Sequence, residues 1–77
     1  MPSAFVLINV ESGAEDGVLR EVKSFGVVKE AYVSWGVYDL ILKVKTATME
    51  ELKENVTHKI RSISKVRSTL TLMMVEE

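Results

Sequence analysis

From Ala4 to Val10 the chain reads AFVLINV, apolar at every position but Asn9, and Glu11-Ser12-Gly13 ends the run with turn chemistry. This pattern predicts a first strand over residues 4–10. From about 14 to 25 the apolar residues change rhythm: Val18, Leu19, Val22 and Phe25 recur at helical spacing, with Glu15 and Asp16 in the first turn and Gly26 just past the end. A first helix follows, weakened by Gly17. Val27 to Trp35 is rich in β-branched and aromatic residues, Gly36 interrupts it, and Tyr38 to Lys45 resumes as strand, so a tight hairpin is expected around Gly36. Thr48 and Glu51 have the spacing of a capping box, and Met49, Leu52, Val56, Ile60 and Ile63 form one apolar stripe of a second helix. Val66 to Val75 closes the chain as a fourth strand.

The order is βαββαβ. Two right-handed βαβ units interleave their strands into a four-stranded antiparallel sheet with both helices on one face, an α+β, ferredoxin-like fold. At 77 residues the chain is read as a single domain over 1–77.

One helical layer covers only one face of such a sheet, and an exposed antiparallel face ordinarily alternates with polar residues. Here both sets are apolar: Phe5 and Leu7 against Val6, Ile8 and Val10 in the first strand, and Leu70, Leu72 and Met74 against Met73 and Val75 in the last. Leaving either set in water forgoes about 1.5 to 3 kcal/mol per side chain. The pattern therefore predicts self-association through the non-helical face, with Ile8 expected at the interface.

Composition removes whole classes of function. Ten basic residues against eleven acidic ones leave a net charge of −1, so no global field draws the chain to nucleic acid or an anionic membrane. The absence of cysteine excludes thiol catalysis and Cys-ligated zinc and fits a cytoplasmic location. The run AFVLINV is too short to span a bilayer. His58, the lone histidine, sits at a helix end beside Lys59 and reads as a solvated partner of the helix dipole. Glu50, Glu51 and Glu54 are explained by capping and solvation of the second helix. With no phosphate loop or metal-ligand spacing, neither an enzyme nor a cofactor is expected. The strand DLILKVKT lacks the stacking aromatics of an RNA-binding plait.

The stretch SWGVYD, residues 34–39, holds what binding chemistry remains. Gly36 permits a positive φ and a close approach to the backbone, Trp35 and Tyr38 offer apolar walls with polar tips, and Asp39 supplies a negative charge. The set suits the ammonium of a small amino acid, with Ser34, Thr69 or Thr71 meeting its carboxylate. The alternative is plain: Gly36 makes the turn, Tyr38 packs, and Asp39 is solvated at a strand mouth.

The segment VVKEAYVSWGVYDLILKV (27–44) resembles the strand pair ending in Gly-x-Tyr-Asp of the effector (RAM) domain of the Lrp/AsnC family of transcriptional regulators. VRSTLTLMMV (66–75) is similar to that family's Val-x-x-Thr-x-Thr strand. The resemblance spans nearly the whole chain and departs from the family pattern at Trp35 and Val37, on either side of the glycine. It implies the ferredoxin-like fold, sheet-to-sheet dimers, and octamers or similar rings with amino-acid effectors between dimers. It also places Gly36, Tyr38 and Asp39 in the effector loop, with Thr69 and Thr71 on the neighbouring strand. With no helix-turn-helix before the first strand, the chain resembles a stand-alone domain, a sensor in its own right or one that joins full-length regulators. A purely structural oligomerisation module and an ACT-type amino-acid sensor share the same topology.

Overall fold

The computed structural model describes residues 1–74, so Val75, assigned from sequence to the last strand, lies outside the described residues. The elements are β1 (Ser3–Val10), α1 (Glu15–Lys23), β2 (Val28–Val33), β3 (Leu40–Lys45), α2 (Met49–Glu54) and β4 (Val66–Met74). They form an antiparallel four-stranded sheet in the order β2-β3-β1-β4, the ferredoxin-like arrangement.

The core is the seam between one sheet face and the two helices. Ala4, Val6, Ile8 and Val10 of β1 and Leu40, Leu42 and Val44 of β3 pack with Val18 and Val22 of α1 and with Leu52, Val56, Ile60 and Ile63 of the α2 arm. Period-2 residues from central strands thus meet period-3.6 stripes from both helices. Ile8 is fully buried in this core, so its expected place at a subunit interface is wrong. In a strand apolar on both sides the sequence does not say which set faces inward.

The opposite set forms the open face. Across it, Tyr32, Ile41, Leu7 and Leu70 make one row in strand order, and Glu30, Lys43, Phe5 and Leu72 make the next. Leu70 and Leu72 remain 43% and 47% exposed. The apolar excess therefore lies over β1 and β4. Over β2 and β3 there is a polar group: Lys43 Nζ lies 3.8 Å from Glu30 Oε2, and Tyr32 Oη donates to Glu30 Oε1 at 2.6 Å. That hydrogen bond, aided by the negative charge of Glu30, raises the Tyr32 phenol above its usual 10.0.

The second helical arm departs from the continuous α-helix expected through Ile63. Thr48 Oγ1 caps it by accepting the Glu51 N–H at 3.1 Å. After Glu54 the helix widens into a π-helical segment over Asn55–Ile60. At the junction Asn55 Nδ2 donates to Glu51 O at 2.8 Å, a side-chain claim on a carbonyl the helix ladder also uses. The apolar stripe stays buried except for Met49, which is 43% exposed.

Candidate functional site

β2 and β3 last pair at Val33 and Leu40, so Ser34 to Asp39 form a six-residue loop in place of a tight hairpin. Its ends are closed by Ser34 N–H donating to Asp39 O at 2.8 Å. Gly36 has φ +133°, and a Cβ added there would meet nothing within 4 Å, so the position needs glycine for its backbone and not for space. The tip projects into solvent, with Trp35 96% and Val37 81% exposed.

Asp39, whose carbonyl holds the end of β2 through Ser34, also serves β1. Its backbone N–H donates to Ile8 O at 2.9 Å, and its carboxylate Oδ2 accepts the Val10 N–H at 2.9 Å. Val10 lies beyond the last β1–β3 pair, Ile8 with Leu40, where no β3 carbonyl continues the ladder. A part-buried N–H at that point needs an acceptor, and the Asp39 side chain supplies one. Neither expectation for Asp39, solvated carboxylate or waiting ammonium partner, contained this role of fastening two strands.

Two clefts meet at Asp39. One, of about 340 Å³, is lined by Glu15, Asp16, Val33, Ser34, Trp35, Gly36 and Asp39. The other, of about 280 Å³, is lined by Asn9, Val10, Asp39, Arg67 and Ser68. The second holds a residue absent from the sequence reading, Arg67. A register shift between Asn9 and Val10 in the pairing with β4 sets Val10 opposite Val66, and Arg67 follows it into the cleft that Asp39 enters from the other side of β1. Among the described residues the ion pair within 4 Å is Lys43 with Glu30, so Asp39 and Arg67 share the cleft without joining each other. Asn9 Nδ2 donates to Ser68 Oγ at 3.3 Å on the same wall. A carboxylate, a guanidinium, an amide and a hydroxyl around one small space match a zwitterion, which presents both charges on one carbon.

Of the residues singled out from sequence, Ser34, Trp35, Gly36 and Asp39 come together on the first cleft. Tyr38 is half-buried in the same loop and lines neither cleft. Thr69 and Thr71 pair with Ile8 and Val6, so they lie on the helix side of β4, across β1 from the loop. Thr71 instead lines a third cleft of about 230 Å³, with Leu52, Lys53, Val56 and Met73. Among the described residues no group of three or more His, Cys, Asp or Glu side chains is arranged to hold a metal ion.

Residues 3–77 match the family described as the Lrp/AsnC ligand binding domain. Regulatory protein AsnC of Haemophilus influenzae is 36% identical over 73 residues, covering 94% of this chain and 49% of that protein. The crystal structure of FFRP-DM1 superposes with a TM-score of 0.95 at 39% identity, covering 97% of this chain and 100% of that one. A complex of the transcriptional regulator NMB0573 of Neisseria meningitidis with L-Met shares the fold, with a TM-score of 0.88 at 17% identity over 99% of this chain and 51% of that one. The chain spans about half the length of the curated relatives it matches.

Proposed function

The chain belongs to the Lrp/AsnC ligand binding domain family, a regulatory and not a catalytic one, and from that premise we propose that it binds an amino-acid effector and assembles into homo-oligomers that modulate transcription. The observation that carries the effector class is the cleft shared by Asp39 and Arg67. Asp39 Oδ2 is engaged by Val10, which leaves Oδ1 to receive an α-ammonium, while Arg67 receives the α-carboxylate. The L-Met bound to a protein of the same fold supports an amino acid as the ligand class. Ser34, Trp35, Gly36 and Tyr38 form the loop beside it, and Thr69 and Thr71 would complete the site from a neighbouring subunit.

Dimers form through the open face, where Phe5, Leu7, Leu70 and Leu72 cover one another. Such dimers build an octamer or similar ring, alone or mixed with full-length regulators of the family. No helix among the described residues is long and apolar enough to cross a membrane, and the proposed site of action is the cytoplasm. Nucleic acid is contacted through a partner and not by this domain, whose net charge is −1.

Thermal shift against a panel of amino acids tests the effector reading, because a ligand at 100 times its dissociation constant stabilises the native state by about 2.7 kcal/mol. At least one amino acid should raise the midpoint, and Arg67→Gln should abolish the shift. No response to any of them in the wild type leaves the chain a structural oligomerisation module.

A further inference from the structure

We infer that Met73 is a modification site: a peroxide oxidises its thioether to the sulfoxide, and Lys53 and Thr71, which line the same cleft, hold the oxygen it gains. The chain has four methionines and no cysteine, so its sulfur chemistry rests on thioethers. The fold gathers all four at one end. β1 starts there just after Met1, β4 closes there with Met73 opposite Ala4 and Met74 opposite Ser3, and α2 begins there at Met49, just after the Thr46 N–H donates to Pro2 O. The four differ in consequence. Met1 is exposed ahead of the first strand, and Met74 is half-buried on the open face, in alternation with Leu70 and Leu72. Met73 is 42% exposed on the helix side of β4, where it lines the cleft of about 230 Å³ together with Leu52 and Val56 of the core. Access for a small oxidant and a place against the core therefore coincide at Met73.

In the step, a sulfur lone pair attacks one oxygen of hydrogen peroxide. An S–O bond forms and the O–O bond breaks. The transferred oxygen passes its proton to the departing hydroxide, which leaves as water, and sulfur loses the two electrons that the peroxide gains. The product puts a polar S–O group where an apolar thioether stood. Such an acceptor beside Leu52 and Val56 is costly without a donor, and the Lys53 ammonium and Thr71 hydroxyl are donors on the same wall. The cleft thus has two fillings, a thioether against leucine and valine or a sulfoxide oxygen on ammonium and hydroxyl. Met73 pairs with Ala4, whereas Asp39 is tied to β1 at Ile8, so the change lies about 14 Å along the strand from the cleft of Asp39 and Arg67.

Hydrogen peroxide on the folded wild type, followed by fragmentation mass spectrometry, should add one oxygen to Met73 at a rate close to that of free methionine. The oxidised protein should stay folded with its thermal midpoint lowered by about 4 to 8 °C, the shift that a modest loss of packing gives in a domain of this size. The two epimer-specific methionine sulfoxide reductases should restore the midpoint. Met73→Leu, close in volume and free of sulfur, should keep its midpoint through the same treatment although Met1, Met49 and Met74 remain. Lys53→Leu removes the ammonium, and oxidation should then lower the midpoint further than in the wild type. Met73 oxidised several-fold more slowly than free methionine, or equal losses in the wild type and Met73→Leu, would overturn the inference. Equal losses in the wild type and Lys53→Leu would overturn the part given to the ammonium. The amino-acid response is read separately, by ligand shift, and stands or falls on its own.

Discussion

The Val10 N–H donates to Asp39 Oδ2 at 2.9 Å, joining residues 29 apart in sequence at the point where β1 outruns its pairing with β3. A single carboxylate thereby fastens the end of a central strand at the border of the cleft that Arg67 also lines.

Substitutions at Asp39 should separate those two roles. Asp39→Asn retains an acceptor for Val10, so it should cost less than about 1 kcal/mol of stability, while weakening amino-acid binding by about 1.5 to 3 kcal/mol, the worth of a hydrogen bond to a charged group. Asp39→Ala removes the acceptor as well and should lower stability by about 1 to 3 kcal/mol. Urea unfolding together with calorimetry distinguishes the pair. Equal stability of the two variants would show that Val10 does not depend on the carboxylate.

Leu70 and Ile8 lie on opposite faces of the sheet and should fail differently. Leu70→Asp, on the open face, should leave a folded protein whose particle mass by light scattering falls below that of the wild type as the sheet-to-sheet contact is lost. Ile8→Asp places an unpaired charge in the core and should lose the folded circular-dichroism spectrum altogether. A folded, monomeric Ile8→Asp protein would reverse this assignment of the faces.

Two glycines with equally open surroundings should respond with opposite sign. Gly36, at φ +133°, should lose about 1 to 3 kcal/mol on change to alanine, because the backbone there is poorly accessible to a side chain. Gly17, inside α1, should gain about 0.5 to 1 kcal/mol from the same change. Thermal unfolding of both variants is the check, and a stabilised Gly36→Ala protein contradicts the loop geometry.

Tyr32 should titrate above 10.0, since its hydrogen bond to Glu30 and the carboxylate's charge both favour the protonated phenol. A phenol raised on folding contributes stability that is present below its unfolded value and is lost as pH rises through the folded one. Ultraviolet titration of a Tyr38→Phe protein isolates the group, and Glu30→Ala should return it towards 10.0. An unchanged curve would mean that the contact does not persist in solution.

What the sequence determined by itself was the kind and order of the elements, which depend on neighbours within a few positions, but neither the widening of the second helix after Glu54 nor the length of the loop around Gly36. The order of elements followed from the change between period 2 and period 3.6, the start of α2 from Thr48 and Glu51, and the place of the loop from Gly36. The family resemblance rested on the same local runs, and the match over residues 3–77 supports it. What only the tertiary structure decided were relations between strands that meet from distant parts of the chain. Ile8 and Leu7 are equally apolar, and pairing with β3 and β4 and packing against two helices, not composition, put one in the core and the other on the open face. Asp39 found Val10 where β1 outruns its pairing with β3, and Arg67 entered the same cleft through a shift in register between Asn9 and Val10 in the pairing with β4. Thr69 and Thr71 moved away from the loop for the same kind of reason: β1 is inserted between β3 and β4, and the alternation of side chains turns both threonines towards the helices.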